Sequence, residues 1–243
     1  MQLTDEEIRQ IIIREKKRKR RRARIIKRVA LLVLVVLLIV LTIGIFINRN
    51  AIASPRGTIF IDPGHGGVDS GSCDGPRYEK NDTLKLSQLI KSDLEELGFN
   101  VCMSRTEDVD VDREQRGVMA NEKKASLFVS IHRNKSTKGK GVEIYVPSTN
   151  DKQSNLLATN IIKALVANGF TNRGIIPGTL VSSDDDYYEN SVPDMPSCLV
   201  EVGFIQSPSD NKLFDNNLDK NAKAIAKAIE KTYQQLYEPK DIE

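Results

Sequence analysis

The sequence predicts an α/β fold: a single domain on a mixed, mostly parallel sheet of about six strands flanked by helices, preceded by an N-terminal transmembrane helix. From residue 57 onward, apolar β-rich runs alternate with helical patterns, the order that gives a sheet with helices on its faces. Ahead of them, residues 29–47 form an uncharged apolar run. We therefore divide the chain into a basic tail (1–28), a transmembrane helix (29–47), a linker (48–56) and a folded domain (57–240).

The apolar run has the length and the flanks of a membrane span. As a helix its 19 residues reach about 28 Å, close to the thickness of a bilayer's hydrocarbon core. The tail before it carries 12 Lys and Arg against 4 Asp and Glu, and such cations stay on the cytoplasmic side. We expect a single-pass cell-membrane protein with a cytoplasmic N-terminus and an extracytoplasmic domain. The alternative is secretion after signal-peptide cleavage near Ala53, because Ala51 and Ala53 form a small-x-small pattern.

Charge and cysteine content exclude several classes of function. The formal net charge of +3 combines a tail of +8 with a remainder of −5. A basic domain surface for nucleic acid is therefore not expected, and membrane topology or anionic lipid explains the tail better than nucleic acid does. The three cysteines, Cys73, Cys102 and Cys198, are too few for a cysteine zinc finger or a disulfide framework, so at most one disulfide is expected.

The elements of the domain follow from local periodicity. Apolar runs predict strands at residues 58–62, 99–104, 126–132, 142–146, 179–181 and 197–202. Helical spacing predicts helices at residues 79–98, 112–124 and 152–168, and a closing amphipathic helix from 218 to 236. Within 142–146, apolar and polar residues alternate, which predicts a half-exposed strand with Glu143 facing solvent.

The chain's two histidines each stand where a predicted strand ends. His65 lies in the glycine-rich segment 62–67, and His132 closes the strand at 126–132. Because ligands bind at the carboxyl ends of strands in open α/β sheets, both imidazoles can converge on one point. A lone histidine is more often an ordinary core or surface group, but two at strand ends, one among glycines, favour a functional site.

Two glutamates complete the candidate site. Glu79, in the first turn of the next helix, returns a carboxylate to the same rim, and two imidazoles with one carboxylate suit catalytic zinc. The alternative for Glu79 is a solvated helix charge. Glu201 interrupts the apolar run 198–204, where a buried carboxylate needs a compensating partner or function. As a base it would take a proton from attacking water and pass it to the leaving nitrogen, unless it is an edge-strand residue facing solvent.

These residues belong to a larger pattern that resembles a known family. The matching segments run from about residue 57 to 237 and comprise 61–67, 78–80, 104–108, 116–121, 128–132 and 195–205. In order and spacing they resemble the zinc-dependent N-acetylmuramoyl-L-alanine amidases of the amidase type 3 group. The resemblance implies that His65, Glu79 and His132 bind Zn²⁺ and that Glu201 is the catalytic carboxylate. It also implies peptidoglycan as substrate, cleaved between the lactyl group of N-acetylmuramic acid and L-alanine.

Two places depart from the family pattern. Arg133 stands where a small residue is common, and it is predicted either to bind a substrate carboxylate or to pair with a neighbouring acid. The acidic segment 182–190 either lines the substrate groove or forms a solvated loop. Arg105 and Arg116 are expected in structural ion pairs near the rim, and Cys198 on the sheet face opposite Glu201.

Two other functions stay open at this point. A zinc peptidase of related fold would cut peptide bonds within the stem peptide or elsewhere. A non-catalytic, membrane-tethered wall-binding protein would keep an idle metal site. The sequence identifies no protein partner and no regulator.

Overall fold

The structure is a computed structural model that describes residues 31–42 and 56–238, together with Arg18, Arg21, Arg22 and Lys27. Residues 31–42 are helical (α1), and each side chain from 31 to 41 is an exposed Leu, Val or Ile. Most of the predicted tail and linker, and both ends of the predicted transmembrane helix at 29–47, lie outside the described residues. Within the described part, no helix combines the length and the apolar character that crossing a membrane requires.

The domain contains a six-stranded mixed sheet and a small two-stranded one. The strands are β1 (Thr58–Pro63), β2 (Cys73–Asp74), β3 (Arg77–Tyr78), β4 (Asn100–Met103), β5 (Leu127–Asn134), β6 (Val142–Val146), β7 (Asn172–Pro177) and β8 (Ser197–Phe204). The large sheet has the order β4-β1-β5-β8-β6-β7, and β2 pairs with β3. All neighbours in the large sheet are parallel except β6 and β8. The predicted mixed, mostly parallel sheet of about six strands is confirmed.

Helices cover both faces of this sheet. They are α2 (Glu79–Glu96), α3 (Arg113–Glu122), α4 (Lys152–Ala167), α5 (Tyr188–Ser191), α6 (Pro208–Asn216) and α7 (Leu218–Tyr237). The buried sides of α2, α4 and α7 share one large core with alternate strand residues such as Ile61 and Val129. On the opposite face, Ala120 of α3 packs in a smaller cluster with Phe60 and Phe128.

Some predicted elements were wrong. The strand beside β6 is Asn172–Pro177, not residues 179–181. The prediction missed it because Gly174 and Pro177 are typical of turns and interrupt the strand pattern. Every residue of β6 is buried, since the strand lies between β7 and β8. Glu143 is therefore only 4% exposed, and its carboxylate accepts hydrogen bonds from Arg173 and Asn134 instead of facing solvent. Helices α5 and α6 were not predicted.

The strand register positions the candidate site. β1, β5 and β8 are adjacent and parallel, so their carboxyl ends meet at one rim. In the pairing of β5 with β8, His132 lies opposite Glu201. Cys198 packs in the large core, and all three cysteines are free thiols. A register shift follows: His132 pairs with Glu201 and Asn134 with Phe204, so the extra residue of this bulge lies in β8, at Val202 and Gly203.

Candidate metal and catalytic site

Two histidines and one glutamate converge at the carboxyl rim. His65 follows β1, Glu79 opens α2, and His132 is near the end of β5. His65 Nε2 lies 3.2 Å from Glu79 Oε1, and His132 Nδ1 lies 3.0 Å from the same oxygen. One possible ligand atom from each residue falls within 4.8 Å of the others. Two imidazole nitrogens and a carboxylate oxygen in this arrangement fit a catalytic Zn²⁺ site, which keeps one coordination position for water or substrate.

Hydrogen bonds orient these side chains toward one another. His65 Nδ1 lies 2.8 Å from Asp69 Oδ2, which favours the tautomer whose free Nε2 faces Glu79. The backbone N–H groups of Ser72 and Arg133 donate to Glu79 Oε2 and Oε1 at 2.8 and 2.9 Å. The three groups are therefore positioned before any ligand arrives, as metal-binding side chains require.

Two glycines and a strained histidine allow the close approach. A Cβ on Gly64 would lie 2.3 Å from His132 Cε1. A Cβ on Gly71 would lie 2.6 Å from His65 Cδ2, and Gly71 also has a φ of +63°. His65 itself has a φ of 61°, a left-handed conformation that is unusual for a non-glycine residue. Such strain is held in place by the surrounding structure and is typical of ligand-binding sites.

The electrostatics of the group favour a positive charge beside Glu79. Burial alone would raise the pKa of Glu79, but hydrogen bonds and charge from His132 and His65 hold that pKa well below its usual range. Burial alone would lower the pKa of His132, yet Glu79 raises it to about 9. His132 Nε2 is also buried and has no hydrogen-bond partner among the described residues. The site is thus built to retain a cation, whether a proton or a metal ion.

Glu201 lies beside this group without a partner of its own. It stands on β8, which has neighbours on both sides, so the alternative of an edge-strand glutamate facing solvent is wrong. Glu201 Oε2 is buried and accepts no hydrogen bond within the described part of the chain. Burial raises the pKa of Glu201 to about 8, and the nearby positive charge of His132 opposes this shift. A carboxyl with a pKa near neutrality can both accept and donate a proton.

Another buried carboxylate, that of Asp62, holds the residues around the end of β1 in place. Asp62, at the end of β1, accepts hydrogen bonds from Ser130 Oγ at 2.6 Å, Arg116 Nη1 at 2.8 Å and Ser104 Oγ. Arg116 therefore forms the structural ion pair that the sequence predicted, with Asp62 as its partner. Arg105 instead donates to backbone carbonyls, including those of Pro63 and Gly64, and has no ion pair among the described residues.

The prediction that Arg133 binds substrate is not supported by its position. Arg133 is 1% exposed and does not line the cavity beside the histidines. Its guanidinium donates to Asp82 Oδ2 and to Asn211 Oδ1, both at 2.6 Å, and lies over the Phe214 ring. Alternation along β5 places Arg133 on the face opposite His132, toward α2 and α6, where it acts as a structural ion-pair partner. The alternative of pairing with a neighbouring acid describes Arg133 correctly.

A cavity of about 520 Å³ opens directly onto the candidate site. His65, His132 and Glu201 line it, and a carboxylate oxygen of Glu189, which also lines it, lies within 4.8 Å of a His132 ring nitrogen. Its other charged lining residues include Asp110, Asp112, Arg113 and Glu114. Glu189 belongs to the acidic segment 182–190. The sequence left two alternatives for this segment: it lines the substrate groove, or it forms a solvated loop. Tyr187, Tyr188 and Glu189 line the cavity, whereas residues 183–185 are exposed, so each alternative describes part of the segment.

Sequence reasoning missed two residues of the site. Asp69 orients His65, and its position four residues beyond His65 in a glycine-rich loop was an available signal. Glu189 has no signal of its own in the sequence, because nothing in an acidic segment distinguishes the one carboxylate that is buried.

The fold and the site together define an α/β protein with a His-Glu-His group able to bind a divalent cation. A sequence profile of the N-acetylmuramoyl-L-alanine amidase family matches residues 59–231. The chain belongs to this family, as the resemblance of the motifs predicted.

Individual relatives agree with this assignment. The chain is 36% identical over 183 residues to the uncharacterized protein YqiI of Bacillus subtilis (strain 168), covering 73% of this chain and 85% of YqiI. It is 34% identical to N-acetylmuramoyl-L-alanine amidase LytC of the same organism, covering 73% of this chain but only 36% of LytC. The structure of an N-acetylmuramoyl-L-alanine amidase from Clostridium difficile 630 superimposes with a TM-score of 0.68 at 28% identity, covering 76% of this chain and all of that one.

Proposed function

We propose that this protein is a zinc-dependent peptidoglycan amidase that hydrolyses the bond between N-acetylmuramic acid and L-alanine. Family membership supports the reaction. The observation that carries the mechanism is the convergence of His65 Nε2 and His132 Nδ1 on Glu79 Oε1, beside the unpartnered carboxylate of Glu201. His65, Glu79 and His132 hold Zn²⁺ in this proposal. When bound, Zn²⁺ polarises the scissile carbonyl and makes water acidic enough to attack near neutral pH.

Glu201 moves the proton in this reaction. Its ionised form accepts a proton from the attacking water, and the protonated form then donates that proton to the nitrogen of the departing L-alanine. The position supports both steps, because the carboxylate has no competing hydrogen-bond donor among the described residues and burial raises its pKa above the ordinary value of a glutamate. Asp69 holds the His65 ring in place, and the backbone N–H groups of Ser72 and Arg133 hold Glu79.

The test is digestion of purified peptidoglycan by the full chain, with and without a metal chelator, followed by mass spectrometry. An amidase frees the amino group of L-alanine and leaves the lactyl carboxylate on the sugar. We expect this product, its loss with chelator and its recovery when Zn²⁺ is restored. Cleavage at other peptide bonds would identify a zinc peptidase instead. Binding to the wall with metal present and no cleavage would identify a non-catalytic wall-binding protein.

The membrane anchor is a further part of the proposal. A helix over residues 29–47 would hold the N-terminus in the cytoplasm and the amidase domain outside, close to its substrate. Its support is the uncharged apolar run after the basic tail, together with the exposed Leu, Val and Ile side chains of residues 31–41. Immunoblotting of membrane and medium fractions tests this. Full-length chain in the membrane is expected, whereas a shortened chain in the medium would indicate cleavage near Ala53.

A further inference from the structure

The domain exposes two adjacent apolar side chains at the tip of a surface loop. Leu180 and Val181 are 72% and 92% exposed. Within residues 56–238 the only comparably exposed large apolar side chain is Val68, at 91%. The loop is held by its own hydrogen bonds, since the Leu180 N–H donates to Tyr187 Oη at 3.2 Å. An ordered turn that keeps adjacent Leu and Val side chains in water favours an apolar partner.

This loop leaves the sheet on the rim opposite the candidate site. β6 runs antiparallel to β8, and β7 runs parallel to β6. Because β8 is parallel to β5 and β5 to β1, the carboxyl end of β7 lies at the amino ends of these strands. Leu180 and Val181 follow β7, whereas Val68 follows β1, as His65 does. The two most exposed apolar points of the domain therefore lie at opposite rims of the sheet.

The chain enters the domain at the rim that carries Leu180 and Val181. Arg56 precedes β1, and its guanidinium pairs with Glu230 and Glu238, both at 2.6 Å, which fixes this point of the chain to the fold. β7 is four strands away from β1 in the sheet, about 20 Å at about 4.8 Å per strand. The nine residues 48–56 reach at most about 30 Å. If residues 29–47 span a bilayer, this rim lies within about 30 Å of its surface.

Other side chains on this rim suit the surface of a bilayer. Tyr237 is 44% exposed, and its hydroxyl donates to the carbonyl of Ser126 at the start of β5. Tyrosine is enriched at membrane–water interfaces. Charges on the rim are mixed, because Asp184 and Asp185 follow the apolar tip and Lys124 is exposed before β5. Attraction to lipid would therefore come from the apolar side chains and not from net charge.

We propose that Leu180 and Val181 insert into the interface of the lipid bilayer and dock this rim of the domain on the membrane. The inference rests on the proposed membrane anchor. The two side chains leave water for the boundary between headgroups and acyl chains, a transfer favoured in proportion to the apolar area buried. Docking directs the rim that carries His65 and His132 away from the bilayer.

The experiment uses a tryptophan probe, because the chain contains no tryptophan. Val181→Trp and its matched control Val68→Trp each replace an equally exposed valine, on opposite rims. Each full-length variant is reconstituted in phosphatidylcholine vesicles, with and without lipid brominated near the headgroup. Val181→Trp is expected to emit at shorter wavelength than Val68→Trp, and brominated lipid should quench only Val181→Trp. Adding Leu180→Asp to Val181→Trp should reduce this quenching, because a charge opposes entry into the bilayer.

Flotation of the vesicles separates this inference from the anchor on which it rests. If the full chain floats and Val181→Trp is not quenched, or both variants are quenched equally, docking of this rim is refuted and the anchor stands. Emission at shorter wavelength without quenching would show that protein covers the loop, such as a second copy of the chain, and would refute lipid as the partner. A full chain that does not float rejects the anchor and this inference together, while peptidoglycan digestion still tests the amidase reaction.

Discussion

His132 and Arg133 are neighbours on β5, yet their buried polar groups are satisfied to opposite degrees. The Arg133 guanidinium has Asp82, Asn211 and an aromatic ring as partners on the side of α2 and α6. On the cavity side, His132 Nε2 and Glu201 Oε2 are buried without any partner in the described structure. A buried polar group with a full set of partners supports the fold, whereas one without partners costs stability and is best explained by a ligand.

The largest effect is expected on the cavity side. Glu201→Gln preserves the shape of the side chain but removes its ability to take a proton, so turnover should fall about 10²–10⁴-fold. Zinc content and the free energy of unfolding should stay close to wild-type values, because Glu201 is not among the proposed ligands and has no partner to lose. Muropeptide cleavage measured by chromatography, with metal analysis, checks this. Normal turnover would show that the assigned role is wrong.

The next largest effect is expected on the side of Arg133. Asp82→Ala removes the carboxylate partner of a fully buried guanidinium, so the free energy of unfolding should fall by about 3–5 kcal/mol. Glu95→Ala is the matched control: Glu95 pairs with Lys91 in a more exposed position of the same helix, where a pair contributes about 0–1 kcal/mol. Urea unfolding at constant zinc concentration measures both. Equal losses in the two variants would contradict the distinction between buried and exposed pairs.

The third effect is a loss of folding stability at low pH, and it depends on Asp62. Burial alone would raise the pKa of Asp62, but Arg116, Ser104 and Ser130 lower it below its usual value. A lowered pKa in the folded state stabilises the protein above the unfolded-state pKa of about 4. That stability is lost as pH falls through the folded-state pKa. Urea unfolding between pH 5 and 2 should show this decline, and the decline should be shallower in Asp62→Asn. An identical slope in the two proteins would contradict the prediction.

The smallest effect separates two carboxylates at the same cavity. Asp112 lines the cavity as Glu189 does, but its side chain caps α3. Asp112→Ala should therefore lower the free energy of unfolding by about 1 kcal/mol and leave muropeptide turnover close to the wild-type value. Asp151→Ala is the control, since Asp151 caps α4 with the same pair of hydrogen bonds and does not line this cavity. A loss of turnover in Asp112→Ala alone would show that Asp112 takes part in the reaction as well as capping α3.

Local sequence determined most of the elements and the identity of the candidate site residues. Helical spacing in α2 and apolar runs in β1, β5 and β8 follow from side-chain periodicity, which needs no long-range information. The histidines were identifiable because both stand at strand ends, where ligands bind in α/β sheets, and Glu201 because a carboxylate is rare within an apolar strand. The strand β7 was missed because glycine and proline interrupt its pattern, although an edge strand tolerates them.

Only the tertiary structure decided which polar residues have partners. The acidity of segment 182–190 was visible in the sequence, but the burial of Glu189 depends on where α5 packs beside β8 and α3. Likewise, the ion pair of Arg133 depends on Asp82, which lies in a helix 51 residues away. Residue type and spacing are local properties, whereas burial and pairing arise between segments that are distant in the chain.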